Sequence, residues 1–161
     1  MHATDATPGG HGPLPPRPAL PDVAGARHRG AAAAVGARWE AVTLAWKWYS
    51  DCAALRGPGG RYPGIAPLLE AVRAEPLLRR LYPVTSHFTL SFSSCTQHPF
   101  VLALTSLTPL SGGLFQIRSR ATGTVTGIVD SAHRAAALAV ADLPAGFGPA
   151  VAGPGDRARQ C

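Results

Sequence analysis

The chain has 161 residues, of which 46% are hydrophobic and 15% charged, and this balance indicates one globular domain with a buried core. The net charge of +6 rests on arginine, since Lys47 is the only lysine. Together with 18 Gly and 16 Pro, this preference for arginine indicates GC-rich codon usage rather than a nucleic-acid surface.

No apolar run approaches the roughly 18 residues of a membrane span, and no signal-peptide core is visible. The 3 cysteines include no Cys-x-x-Cys pair, which excludes a disulfide framework. We therefore expect a cytoplasmic protein with no membrane partner.

The first part of the chain, residues 1–30, is rich in proline and glycine and lacks apolar periodicity, so we expect a disordered leader. Within this leader, residues 13–18 (Pro-Leu-Pro-Pro-Arg-Pro) have the composition of a polyproline II ligand, although a tether without any binding role is the alternative. Residues 31–153 are predicted to form a single α+β domain, and residues 154–161 a flexible tail.

Two helical segments are predicted next. Residues 32–56 have the periodicity of one long helix, since apolar side chains recur every three or four residues. Residues 64–82 indicate a helix, a break at Pro76 and a short second helix that ends at Pro83.

From residue 88 onward the apolar period changes to two, which is the period of a β-strand. Four strands are predicted, at residues 88–93, 100–107, 114–120 and 124–129. The first has one apolar face and one rich in hydroxyl groups. Asp130 or Ser131 can cap a last helix that extends to about Asp142. The predicted fold is α+β, with N-terminal helices, a four-stranded antiparallel β-meander and a C-terminal helix packed on one face of the sheet.

Three segments, in this order, carry a resemblance to a known family. They are residues 69–83 (Leu-Glu-Ala, then Glu-Pro-x-Leu-Arg and Leu-Tyr-Pro), residues 86–100 (Ser-His-x-x-Leu-x-Phe-Ser-x-Cys-Thr-x-x-Pro-Phe) and residues 143–153 (Leu-Pro-x-Gly-x-Gly-Pro-Ala-Val-x-Gly). The chain resembles a bacterial, actinobacterial-type family known as domain of unknown function 6193. Its members are labelled natural-product biosynthesis proteins. The resemblance implies a place near biosynthetic genes and implies no reaction. The chain departs from the family pattern at His98, where the resemblance implies tyrosine.

Residues 86–98 hold the densest group of polar side chains and therefore the candidates for chemistry. Cys95 with His87 or His98 would supply a nucleophile and a base. The same three residues are weak candidates for metal ligands, because a closed zinc site needs four. The alternative is that Cys95 is a small buried residue at the end of a strand. We expect no cofactor and no metal site.

The candidates for binding lie elsewhere. Trp48 is set off from the main apolar stripe of the long helix and can contact either the core or a partner. Arg118 and Arg120 point outward from the third predicted strand. With Arg134 they suggest a weak likeness to double-stranded RNA-binding domains.

The favoured function is that of a non-catalytic accessory or binding protein associated with natural-product biosynthesis, because no catalytic constellation is complete. Its partner would be a protein or a small molecule. The alternatives are a small enzyme that uses Cys95 with His87 or His98, and a weak nucleic-acid-binding domain.

Overall fold

The computed structural model describes residues 12–57 and 64–155. Within them, four α-helices and seven strands form a mixed α+β fold. The helices are α1 (Val23–His28), α2 (Ala31–Ala54), α3 (Ile65–Ala74) and α4 (Ala132–Ala141), and short 3-10 helices span Leu78–Arg80 and Ser111–Gly113. The strands are β1 (Tyr82–Ser86), β2 (Thr89–Ser93), β3 (Cys95–Gln97), β4 (Leu102–Pro109), β5 (Phe115–Ser119), β6 (Val125–Val129) and β7 (Val151–Pro154).

The main sheet has five strands, not the four that the sequence predicts. Its order is β1-β2-β4-β5-β6, and every neighbouring pair is antiparallel. The strand missing from the prediction is β1, because Pro83 suggested the end of a helix. Proline lacks the amide donor of a central strand, but it is tolerated on an edge strand. β1 is such an edge, and Pro83 pairs with Phe92 there.

A second, two-stranded sheet was also not predicted. β3 pairs in parallel with β7, so the end of the described chain returns to the segment after β2. The backbone amide of Ala150 donates to the carbonyl of Arg80 at 3.0 Å, which joins the residue before β7 to the end of the first 3-10 helix. Pairing between segments more than 50 residues apart leaves no local pattern of periodicity or turn residues.

The predicted helices are confirmed, with small changes in their ends. α2 has buried residues along its length, including Val35, Trp39 and Val42. The break at Pro76 separates α3 from the short 3-10 helix. α4 begins after Ser131, whose hydroxyl accepts a hydrogen bond from the Arg134 amide at 3.1 Å. Among the described residues, none of the helices has the length and apolar character needed to cross a bilayer.

The core lies between the helices and one face of the main sheet. Leu90, Leu107 and Ile117 pair across β2, β4 and β5 and are 0–1% exposed. α3 and α4 pack on this face, whereas α2 packs against α3 and the edge strand β1. The hydroxyl-rich face predicted for β2 is confirmed. On it, Thr89 and Thr108 share a hydrogen bond of 2.9 Å.

The expectation of a disordered leader is not met over residues 12–30. Asp22 caps α1 by accepting a hydrogen bond from the Gly25 amide at 2.8 Å, and α1 packs against α2. Helix formation here was missed because six residues are too few to show apolar periodicity. Residues 1–11 and 156–161 lie outside the described residues, so most of the predicted tail does too.

Candidate functional site

The structure does not bring Cys95 and His87 together. His87 lies in the turn between β1 and β2, where Ser86 pairs with Thr89, and its side chain is exposed. Cys95 follows the opposite end of β2. A nucleophile and its base must lie within hydrogen-bond reach, and β2 separates these two residues.

Cys95 is instead part of the internal structure of its own loop. The residue is 2% exposed. Its Sγ contacts the carbonyl oxygens of Gln97 and Pro99 at 3.5 and 3.6 Å and lies 3.4 Å from the amide nitrogen of Val101. The buried hydroxyl of Ser93 donates to the Cys95 carbonyl at 2.8 Å. These contacts satisfy the polar groups of a tight loop, which supports the structural interpretation of Cys95.

His98 is near Cys95 in sequence but faces elsewhere. Its exposed ring packs edge-on against Phe100, with ring centroids 5.8 Å apart. Within residues 12–57 and 64–155, no group of three His, Cys, Asp or Glu side chains is placed to hold a metal ion.

The three arginines of the nucleic-acid hypothesis do not form one surface. Arg118 alternates along β5 with the buried Phe115 and Ile117, so it lies on the face opposite the core. Its guanidinium donates to the carbonyl of Gly123. Arg120 is exposed in the turn that follows β5, and Arg134 lies on α4, on the core side of the sheet, 3.4 Å from Asp130.

Trp48 is half-buried. Its indole N–H donates to the carbonyl of Pro15 at 2.9 Å. The predicted binding residue thus meets the proline-rich leader of its own chain.

A concave surface that includes two arginines lies at the start of α2. A cleft of about 490 Å³ separates Ala31 and Ala32 from Arg79, Arg80 and Ala150. This volume is within the range of small-molecule sites, roughly 300–1,000 Å³. Arg79 and Arg80 are exposed, and neither guanidinium forms a hydrogen bond or an ion pair with a described residue. The cleft therefore presents two arginines whose donors are available.

The first turns of α2 form one wall of this cleft. α2 has 24 residues, and Gly30 at its N-cap has no side chain with which to bond the first amides. The first helical bond runs from the Ala34 amide to the Gly30 carbonyl, so the amides of residues 31–33 have no acceptor within the helix. The first turn also contains no acidic residue. Partial positive charge at a helix N-terminus favours an anion.

A second cleft of about 450 Å³ adjoins the first and shares Arg80 with it. Its walls are mainly apolar and include Leu77, Val140, Leu143 and Phe147. None of the described residues that line either cleft is acidic. The pair of clefts can therefore hold a molecule with an anionic group and an apolar part.

A family model described as Family of unknown function (DUF6193) matches residues 40–154, well over half of the chain. The chain belongs to this family. The match confirms the family that the three sequence blocks indicate. No curated protein and no solved structure matches the chain. The DUF6193 match begins inside α2 and ends with β7, so it includes all seven strands, Arg79 and Arg80.

Sequence reasoning missed this cleft because its walls are mostly alanine, glycine and proline. Such residues carry no functional group and show no motif. The signal that was available is the pair Arg79–Arg80 in the first block of the DUF6193 resemblance, together with the third block. The structure joins these two blocks through the hydrogen bond between Ala150 and Arg80.

Proposed function

We propose that this DUF6193 protein is a non-catalytic accessory protein that binds a small anionic molecule in the cleft at the start of α2. The observation that carries the proposal is that Arg79, Arg80 and the first turns of a 24-residue helix without a side-chain cap line a cleft of about 490 Å³. Arginine donates two parallel hydrogen bonds to a carboxylate or phosphate, and free backbone amides complement them. The ligand class is therefore a phosphate or carboxylate compound.

The geometry of the predicted catalytic group supports a binding role over an enzymatic one. Cys95 is buried and its polar contacts lie within its own loop. His87 is at the other end of β2, and His98 packs on Phe100. The enzyme alternative needs these side chains to meet, and the observed arrangement keeps them apart.

The biological setting of the proposal is natural-product biosynthesis in the cytoplasm of an actinobacterial-type cell. The resemblance to labelled members of DUF6193 supports the setting, and the cysteine chemistry supports a reducing compartment. Both Cys52 and Cys95 are buried free thiols. Disulfides are rare where thiols are kept reduced, so unpaired buried cysteines agree with that compartment.

Isothermal titration calorimetry of the full chain with inorganic pyrophosphate tests the binding proposal. We expect 1:1 binding that weakens as salt is added, because salt screens the guanidinium groups. Arg79→Ala and Arg80→Ala should each weaken binding at least about tenfold, since each removes charge-assisted hydrogen bonds.

The matched control is Arg73→Ala, which removes an exposed arginine of α3 that does not line the cleft. This variant should bind pyrophosphate as the unaltered chain does. Equal weakening in all three variants would indicate a general charge effect, and no binding at low salt would refute an anion site.

A further inference from the structure

Pro15 and Arg17 of the leader contact an aromatic surface of α2. Trp48 and Tyr49 are in edge-on contact, with ring centroids 5.1 Å apart, and Trp46 contacts both Tyr49 and Phe88 at 5.6 and 5.7 Å. We call these four residues the aromatic face. Three of these residues lie in the C-terminal half of α2 and Phe88 lies in the turn between β1 and β2, whereas the cleft is at the N-terminal end of α2, so the two sites are separate.

The contacts between leader and aromatic face are specific in their chemistry. The Trp48 indole N–H donates to the Pro15 carbonyl at 2.9 Å. The guanidinium of Arg17 lies over the Trp48 ring, 5.5 Å from its centroid, which is within the range of a cation–π contact. One Arg17 nitrogen also lies 3.5 Å from the Tyr49 hydroxyl. Pro15 and Arg17, which are separated by one proline, thus both contact Trp48, and Arg17 also contacts Tyr49.

This arrangement has the features of polyproline recognition. Proline-rich segments bind aromatic surfaces because their backbone is already extended, so little conformational entropy is lost, and their carbonyls remain free to accept hydrogen bonds. Residues 12–21 contain five prolines and form neither helix nor strand. Trp48 supplies the ring and the N–H donor that such recognition requires.

Residues 12–21 contact Trp48 and Tyr49 without burying their two leucines. Leu14 and Leu20 are 50% and 48% exposed, and Pro16 and Arg17 are also exposed. A segment that served mainly to stabilise the core would bury its leucines. The hydrogen bonds and ring contact that hold residues 12–21 on α2 come from the Pro15 carbonyl and the Arg17 guanidinium, whereas α1 stays packed on α2. Residues 12–21 can therefore separate from α2 at a lower free-energy cost than the core can open.

We propose that the aromatic face of α2 is a docking surface for a proline-rich segment of a partner protein, and that the leader occupies it in cis until the partner displaces it. The partner segment would carry the same chemistry as the leader: a proline whose carbonyl accepts from Trp48, followed two residues later by an arginine. The leader then sets the threshold for binding, because it competes at an intramolecular effective concentration in the mM range.

Fluorescence anisotropy with a labelled synthetic peptide of residues 12–21 tests this proposal on the full chain. The unaltered protein should bind the peptide weakly, since its own leader competes. Arg17→Glu in the protein removes the cation over Trp48 and should strengthen peptide binding at least about tenfold. Adding Trp48→Phe to that variant keeps an aromatic ring but removes the N–H donor, and it should abolish the gain.

Arg120→Glu is the control, because it makes the same charge change at an exposed turn far along the chain and should leave peptide binding unaltered. A second measurement does not depend on the Trp48 variant: peptide added to the ¹⁵N-labelled Arg17→Glu protein should shift the indole N–H signal of Trp48 and leave that of the buried Trp39 in place. The proposal is overturned if Arg17→Glu gains no peptide affinity, if the gain persists without the Trp48 donor, or if sedimentation shows that the leader exchanges between two copies instead.

Discussion

At the scale of single residues, the turn between β1 and β2 contains the one non-glycine residue with positive φ among those described. His87 has φ of 53° and is the first of two turn residues, a position where a two-residue hairpin of type II′ favours glycine. An L-residue with a Cβ costs about 1–2 kcal/mol in the left-handed region. Glycine avoids this cost but loses about 0.5–1 kcal/mol through its greater freedom when unfolded. We predict that His87→Gly raises the free energy of unfolding in urea by about 0.5–1 kcal/mol.

The control for this prediction is His87→Ala, which keeps the Cβ and should bring no gain in stability. A decrease in stability on His87→Gly would instead show that the imidazole makes a stabilising contact. The sequence suggested a chemical role for His87 because it is a polar residue in the second block. In the structure its side chain is exposed, and its backbone has a conformation that favours glycine.

At the scale of elements, one hydrogen bond joins the end of α4 to the central strand. Thr105 of β4 is 1% exposed, and its hydroxyl donates to the Asp142 carboxylate at 2.7 Å. Asp142 is at the C-cap of α4, where a negative charge is unfavourable to the helix dipole, so its contribution comes through this acceptor. Hydrogen bonds to charged groups contribute about 1.5–3 kcal/mol. Thr105→Val loses the bond but gains a buried methyl, so we predict a net loss of about 1 kcal/mol in urea unfolding.

Asp142→Asn is the companion variant, since the amide oxygen still accepts from Thr105 while the charge at the helix end disappears. Its stability should stay within about 0.5 kcal/mol of the unaltered chain. If Thr105→Val unfolds at the same urea concentration as the parent, the bond does not join α4 to the sheet energetically.

The elements that the sequence predicts are those whose signals are local. The spacing of Val35, Trp39 and Val42 and the cap at Ser131 lie within single helices, and both helices are present. β1 was missed because a proline such as Pro83 can either end a helix or lie in an edge strand, and the sequence does not distinguish the two. β3 and β7 were missed because only a distant partner makes Cys95 and Val151 strand residues.

The same distinction separates the predicted site from the cleft. Residues 86–98 were chosen for their polar side chains, yet Ser93 and Cys95 bond mainly within their own loop. The cleft forms only when the start of α2, the Arg79–Arg80 pair and Ala150 meet, which depends on the complete fold. By contrast, the sequence offered Trp48 and residues 13–18 of the leader as candidates for binding, and the structure adds that Trp48 contacts Pro15.

At the scale of the whole molecule, stability and binding make opposite demands on the start of α2. A carboxylate in the first turn of a helix stabilises it by about 0.3–1 kcal/mol, yet this 24-residue helix has none. Ala32 is exposed and lines the cleft, so Ala32→Glu would supply the missing charge. We predict that Ala32→Glu leaves the free energy of unfolding unchanged or raises it by up to about 0.5 kcal/mol, because the gain from the helix dipole is partly offset by the slightly poorer helix propensity of glutamate.

Pyrophosphate affinity of the Ala32→Glu variant should fall at least about tenfold, since the new carboxylate competes for the same amides and guanidinium groups. Ala137→Glu, on the exposed side of α4, makes the same charge change and should leave the affinity unaltered. Undiminished affinity in a stable Ala32→Glu variant would mean that the anion does not bind at this helix end. A loss of affinity without a loss of stability would show that the absence of an acidic cap serves binding and not folding.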